Sequence, residues 1–236
     1  MCDLKVLLKG LMFIVFCLFV FSCSNTAVSP TNYSRLQIVN AIPASLSFDC
    51  RLNGTKINTS TIAFPNASGY ISTVPGTKNV AIVPTATPTA LATDTVNVLL
   101  ENNQSYTLFF SSRADTIKTI FIDDTLSKLP ATGRARIRFV NASGSSPMLD
   151  IQLNGTDAFT KIKYTKVGSF IEVPVGIYEF RAFTSGVRSS SLGTLSNQML
   201  ADGKIYTLYA SGTSGNTNTT SAFALSLLNN LPPATK

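Results

Sequence analysis

The side chains able to do chemistry in this sequence are four cysteines and twelve acids; histidine is absent from all 236 positions. Without it there is no Ser-His-Asp or Cys-His relay, and the commonest zinc ligand is missing. No glycine-rich phosphate loop follows a strand-like segment. Two carboxylates on opposed walls of a cleft could still hydrolyse a glycosidic bond, but the acids stand mostly isolated. The exception is Asp123-Asp124, and neighbours on one strand face opposite sides. That pair reads as a solvated turn before a linker; a share in a calcium site, which takes about six to eight oxygens, is the alternative. Asp49 and Asp150 read as strand-start or turn residues. The chain reads as non-enzymatic, with no cofactor expected.

Cysteine offers a more definite chemistry. Lys5 and Lys9 precede Leu11–Phe21, an uninterrupted apolar run of 11 residues. Crossing a bilayer core takes ~20 such residues, so the run has the length of a signal-peptide core. It ends in Val20-Phe21-Ser22-Cys23, which resembles the bacterial lipobox. The resemblance implies cleavage between Ser22 and Cys23, diacylglyceryl attachment to the Cys23 thiol, and acylation of the new amino terminus. Bulky Phe21 departs from the small residue usual before Ser22. An ordinary secretory signal with an incidental Cys is the alternative. Each buried methylene contributes ~0.8 kcal/mol, so several acyl chains anchor stably. Residues 24–33 then form a polar tether that, as a flexible coil, spans roughly 17–19 Å. Ser24 in place of Asp points to the outer membrane, with the side it faces left open.

Cys2 and Cys17 leave with residues 1–22, so Cys50 has no partner for an intramolecular disulfide. It reads as a small buried apolar residue. Removing Asp3, Lys5 and Lys9 with the same segment leaves 17 basic and 11 acidic side chains, a net charge of +6. The cations are scattered, and the densest group, Arg134, Arg136 and Arg138, alternates as the solvent face of a strand would. Nucleic-acid binding calls for a concentrated basic stripe with stacking aromatics and is not expected.

These groups must be carried by strands. Val, Ile, Thr and Phe abound and Trp is absent, a composition suited to pleated, half-buried surfaces. The chain also repeats itself. Leu36–Ala41 recurs as Ile137–Ala142, and Asp49–Thr55 as Asp150–Thr156. Gly69-Tyr70-Ile71 matches Ser169-Phe170-Ile171, Val74-Pro75-Gly76 matches Val173–Gly176, and Ser105–Phe109 matches Ile205–Tyr209. A near-constant spacing of about 100 residues exceeds solenoid periods and indicates a duplicated domain. Cys50 falls opposite Ile151 in this alignment. Asn53-Gly54 and Asn154-Gly155 should close type I′ hairpins. Arg136–Val140 alternates as a half-buried first strand. Asp202–Tyr206 places a turn ahead of a strand-starting Tyr, similar to the tyrosine corner of immunoglobulin-like sandwiches. The expectation is all-β: two tandem Ig-like antiparallel β-sandwich domains. The expected boundaries are 1–22 (signal), 23–33 (lipidated Cys and tether), 34–130 (first repeat) and 131–236 (second repeat). Ser211–Ser221 should form an exposed loop.

Residues 136–143, 149–155, 173–178 and 203–208 together resemble the family known as domain of unknown function 4397. Similar domains occur in tandem in exported proteins, often Bacteroidetes lipoproteins. The resemblance covers nearly all of 134–236 and, more weakly, 34–130, where Thr77–Val80 replaces the usual strand start. It implies fold and location and carries no activity, ligand or catalytic residue. Asp94-Thr95-Val96, Asp115-Thr116-Ile117 and Asp124-Thr125-Leu126 resemble the Asp-Thr-aliphatic O-glycosylation motif, making Thr95, Thr116 and Thr125 candidate acceptors. The expected protein is lipid-anchored in the outer membrane of the cell envelope and binds a glycan or another envelope protein. A structural spacer or assembly subunit is the alternative.

Overall fold

The computed structural model describes residues 32–43, 47–85, 94–114, 116–125, 129–218 and 221–230; Ser22, Cys23 and most of the tether lie outside them. No helix occurs among the described residues. The first repeat forms β1 (Ser34–Ala41), β2 (Phe48–Leu52), β3 (Thr55–Lys56), β4 (Ala67–Thr73), β5 (Gly76–Pro84), β6 (Asp94–Leu100), β7 (Ser105–Arg113) and β8 (Thr116–Asp123). The second forms β9 (Arg134–Asn141), β10 (Leu149–Leu153), β11 (Thr156–Ile162), β12 (Ile171–Pro174), β13 (Gly176–Thr184), β14 (Gly193–Leu200), β15 (Ile205–Ser211) and β16 (Ala224–Asn230).

Each repeat folds into two four-stranded sheets. Their orders are β4-β1-β7-β8 and β3-β2-β5-β6 in the first repeat, and β12-β9-β15-β16 and β11-β10-β13-β14 in the second. The chain is therefore a tandem pair of β-sandwiches. Within the sandwich the strand order differs from that of the immunoglobulin constant domain, which keeps the first two strands in one sheet, whereas β1 and β2 sit in opposite ones. Nor is the pairing wholly antiparallel: β1 runs parallel to β7 and β9 to β15. Parallel neighbours cannot be joined by a hairpin, and here the other sheet is built between them in sequence. The Asn-Gly turns behave as read. Asn53 and Gly54 have φ of 49° and 85°, Asn154 and Gly155 of 48° and 81°, the double positive φ of a type I′ turn.

Three apolar clusters order the four sheets. One fills the first sandwich, from Leu36 and Ile38 to Cys50, Ile82 and Leu108. A second fills the second sandwich around Phe139, Ile151, Phe180 and Leu208. The third joins Val39, Phe109 and Ile122 of the first repeat to Val140, Tyr209 and Leu228 of the second. The sheets holding β1 and β9 are thus inner layers, covered on both faces. That explains why alternation fails in them: all seven residues of β15 are buried, as are Ser105–Ser111 of β7. The expected half-buried first strand is corrected likewise, since Ile137–Asn141 of β9 are all buried.

The end at which β1 and β9 begin, the lower end, also holds the β4–β5 and β6–β7 turns and their counterparts in the second repeat. The two lower ends lie together. Asn230, at the close of β16, donates to Tyr70 of β4 (3.1 Å), which lies opposite Gln37 of β1. At the upper end, Ser111 donates to the carbonyl of Ala142 (2.7 Å).

Candidate functional site

The inner sheets meet through one patch used twice. Val39 and Val140, Ala41 and Ala142, and Phe109 and Tyr209 are repeat-equivalent, and all six line the shared cluster. Ile122 pairs with Thr107 and Leu228 with Thr207, which makes them equivalent as well. Phe109 and Tyr209 meet edge to face, with centroids 5.3 Å apart. This is the self-complementary contact of a two-fold dimer, built within one chain.

A buried polar cluster sits in that patch at the lower end. Strand register makes Gln37 equivalent to Arg138, Thr107 to Thr207 and Asp124 to Asn230. Arg138 Nη2 donates to Asp124 Oδ1 across the repeats, and both side chains are almost wholly buried. Arg138 also donates through Nε to Thr207 Oγ1 (3.0 Å) and through Nη1 to the Asp123 carbonyl (3.0 Å). Its guanidinium lies over the Phe170 ring, 4.7 Å from the centroid. Asp124 Oδ2 accepts from Tyr70 (2.7 Å) and Thr107 (2.5 Å). Thr207 donates to Asn230 Oδ1 (2.8 Å).

Burial pushes the Asp124 carboxyl up, while Arg138 and the Thr107 and Tyr70 hydroxyls pull it back. Burial, with the Asp124 charge, raises the Tyr70 hydroxyl and keeps it a donor. Gln37, Thr107, Asp124, Arg138, Thr207 and Asn230 are buried and Tyr70 is half-buried, and these groups bond to one another, an arrangement that can lock the pairing of the repeats.

Two sequence readings change accordingly. Arg138 is not on a solvent face, because the other repeat covers that face; Arg136, half-buried, pairs with Glu172 (2.8 Å), and Arg134 is exposed. Asp123 is solvated as read, but it closes strand β8 opposite Tyr106 instead of lying in a turn, and the solvated reading fails for buried Asp124. Both Asp124 oxygens are filled by N–H and O–H donors, where calcium would require them free. Among the described residues no three metal-ligating side chains of the His, Cys, Asp and Glu types come together.

The upper end is closed by close backbone approach. Ser111 also shares a hydrogen bond with Tyr164 (2.9 Å), and Tyr209 donates to the Pro65 carbonyl. A methyl group on Gly144 would overlap the Ser112 carbonyl oxygen. Ser211, the equivalent of Ser111, is a buried hydroxyl with no hydrogen-bond partner among the described residues. Phe64 occupies the position that corresponds to Tyr164 and has no hydroxyl to offer.

The remaining candidates tie loops. Asp49 pairs with Lys56 (2.9 Å) and accepts from Asn58 (3.1 Å). Asp150 accepts from the backbone N–H of Lys161 (2.7 Å) and Gly186 (3.0 Å), and pairs with Arg188 (3.0 Å). Burial alone would raise its pKa; these donors outweigh burial and hold it at about 2. Cys50 is buried, as read, and desolvation followed by the Asp49 charge pushes its thiol to about 12. The tyrosine corners form in both repeats, the hydroxyls of Tyr106 and Tyr206 accepting from the N–H of Glu101 (3.2 Å) and Ala201 (3.1 Å). Thr95 and Thr116 are exposed. Thr125 is half-buried, its hydroxyl accepting from the Ser105 N–H (3.0 Å). In the Ser211–Ser221 stretch residues 215–218 are exposed, whereas Ser211, Gly212 and Ser221 are buried. Ser22 and Cys23 lie outside the described residues.

Sequence reasoning missed the cross-repeat pair. The signal was present in the repeat alignment: at equivalent positions inside apolar strands, Gln37 becomes Arg138 while Asp124 becomes Asn230. The sequence profile of the family described as Domain of unknown function (DUF4397) matches residues 34–152 and again residues 135–235. No curated protein matches the chain.

Proposed function

The chain belongs to the DUF4397 family, and from that premise we propose that it is a lipid-anchored, non-enzymatic module of the outer membrane that binds another envelope protein or a glycan. The observation that supports the anchor is Cys23 at the end of the apolar run, nine residues before the described fold begins at Asn32. Non-enzymatic use is supported by where the ionisable groups are spent: Asp124, Arg138, Asp150 and Cys50 are all buried or tied into loops. Phe121 is the only aromatic among the well-exposed large apolar residues described, and glycan platforms rely on aromatic faces. That favours the envelope-protein partner. A second reading, a rigid structural spacer, is supported by the shared apolar cluster that fixes the two repeats together.

The test is intact mass and membrane partitioning of the expressed protein beside Cys23→Ala. Acyl mass and membrane association should both be lost in the variant. A wild-type chain that is soluble and carries no acyl mass would overturn the anchor.

We propose Thr95 and Thr116 as O-glycan acceptors on the strength of their exposure, and place Thr125 last because its hydroxyl is engaged. Glycan mass, over and above the Thr-to-Ala difference, should be lost with Thr95→Ala and Thr116→Ala and kept with Thr125→Ala. A chain without glycan mass overturns the assignment.

A further inference from the structure

Four strands end the two outer sheets: β3 and β6 in the first repeat, β11 and β14 in the second. An open edge is a template for another strand, and natural sheets guard it by shortening, bulging or charging the edge. β3 has two residues. β11 loses register twice against β10, and Lys161 within it has a φ of 56°. β14 breaks register against β13, with Asn197 at a φ of 58°. β6 is guarded in none of these ways. Its seven residues pair with β5 without a shift, and its only charge is Asp94 at the start.

Hydrogen bonding on β5 fixes which groups of β6 face the free side. The Asn53 N–H donates to the Asn79 carbonyl (2.8 Å), and the Asn79 N–H donates to Asn53 Oδ1 (2.9 Å). Both backbone groups of Asn79 thus point away from β6, so Asn79 and Asn97 form a non-hydrogen-bonded pair. The N–H and C=O of Asn97 then face the free edge, and by alternation so do those of Thr95 and Leu99. Thr95 agrees: its N–H is held by its own Asp94 carboxylate (3.0 Å) at the surface and not by β5. No strand among the described residues pairs with this side of β6. On the outward face Asn79 Nδ2 donates to Asn97 Oδ1 (3.0 Å). A row of amides, Asn53, Asn79 and Asn97, therefore crosses the sheet and stops at the edge.

We propose that β6 is a self-association edge, pairing antiparallel with β6 of a second copy of the chain about Asn97. A two-fold there sets Asn97 opposite Asn97 and Thr95 opposite Leu99 of the other copy. The occupant follows from the strand's own symmetry. In this register the N–H and C=O of all three residues on each edge find partners, the exposed Asp94 carboxylate giving way. The amide row runs unbroken through both sheets, as stacked Asn side chains do between paired strands, and no like charges meet. The second repeat has lost the device, for Glu179 stands where Asn79 does and β14 is bulged. One strand pair buries less than a lasting interface needs, so association is weak in solution. Anchoring to one membrane raises the effective concentration of copies, but the pairing itself does not rest on acylation of Cys23.

Full-length acylated protein carrying Thr217→Cys, an exposed loop position, is labelled with donor and acceptor dyes and placed in phosphatidylcholine vesicles. It is made without glycosylation, which keeps the result independent of the assignment at Thr95. Energy transfer is expected above the level of randomly spread protein. Asn97→Pro removes an N–H that only the second copy uses, a position where an edge strand tolerates proline. Transfer should fall to the random level with Tm little changed. Asn97→Lys and Asn97→Glu each set like charges directly opposite at the two-fold. Each alone should lose the transfer, and an equimolar mixture should regain it. Random-level transfer in the chain with Asn97 intact overturns the proposal, as does transfer that survives Asn97→Pro in a folded chain. Lys and Glu variants that stay apart when mixed overturn the pairing about Asn97. If intact mass shows no acylation, the anchor fails, and the same variants are read by sedimentation of the soluble chain at high concentration. A wild type that stays monomeric there overturns the edge as well.

Discussion

The guanidinium of Arg138 and the carboxylate of Asp124, 14 residues apart, meet inside the contact between the two repeats. Each stands where its repeat-equivalent is neutral, Gln37 for Arg138 and Asn230 for Asp124. The duplicated patch has thus diverged into complementary halves. An all-second-repeat pairing would set Arg138 against Asn230, with no carboxylate to neutralise it. The ion pair selects one repeat for the other.

Removing one member strands a buried charge, which costs about 3–5 kcal/mol. Arg138→Gln or Asp124→Asn alone should therefore lower stability by that order in chemical denaturation. The pseudo-two-fold makes a stricter demand. Gln37→Arg, Asp124→Asn, Arg138→Gln and Asn230→Asp together move the pair to the mirrored site, beside Thr107 and Tyr70. This quadruple variant should recover most of the loss. Additive destabilisation by all four would show that the two sites are not equivalent.

Gly144→Ala sets a methyl group on the Ser112 carbonyl oxygen, where backbone meets backbone and no flexible side chain can yield. Overpacking of this kind costs about 1–3 kcal/mol. The expected result is a lower Tm, since the overlap forces apart the backbone contact in which Ser111 donates to the Ala142 carbonyl. An unchanged Tm would mean that the repeats separate there without cost.

Acid should loosen the second repeat before the first. The folded pKa of Asp150 is about 2, below the ~3.9 of an unfolded Asp. A depressed folded value means that the contribution is complete above pH ~4 and fades as pH falls toward 2, for at most about 2 kcal/mol. Asp150→Asn removes this titration. The stability gap between wild type and variant should shrink steadily across that window, and a gap independent of pH would contradict the assignment.

The Asn-Gly hairpins and the tyrosine corner at Tyr206 were legible because each depends on residues close in sequence, and the repeat because its landmarks keep an almost constant spacing. Cys50 was legible as core because its equivalent is Ile151. The strand order was not, since the crossing from β1 to β2 in the opposite sheet has no local marker. Arg138 misled for a physical reason. Alternation of Arg134, Arg136 and Arg138 tells which side of β9 they share, but not that a second sheet covers that side partway along. The burial of Asp124 followed from the same hidden layer. Comparing the two repeats at Gln37 and Arg138 would have exposed it.

The doubly covered inner sheets also set a timetable. Ribosomes deliver Val39, Phe109, Ile120 and Ile122 long before Tyr209 and Leu228, the side chains that shield them. Leu228 and Asn230 belong to the last strand described. A newly made first repeat must therefore wait, with a bare apolar flank, until β15 and β16 have been made. Its hazard is aggregation during biogenesis, and loss of β16 would make that exposure permanent.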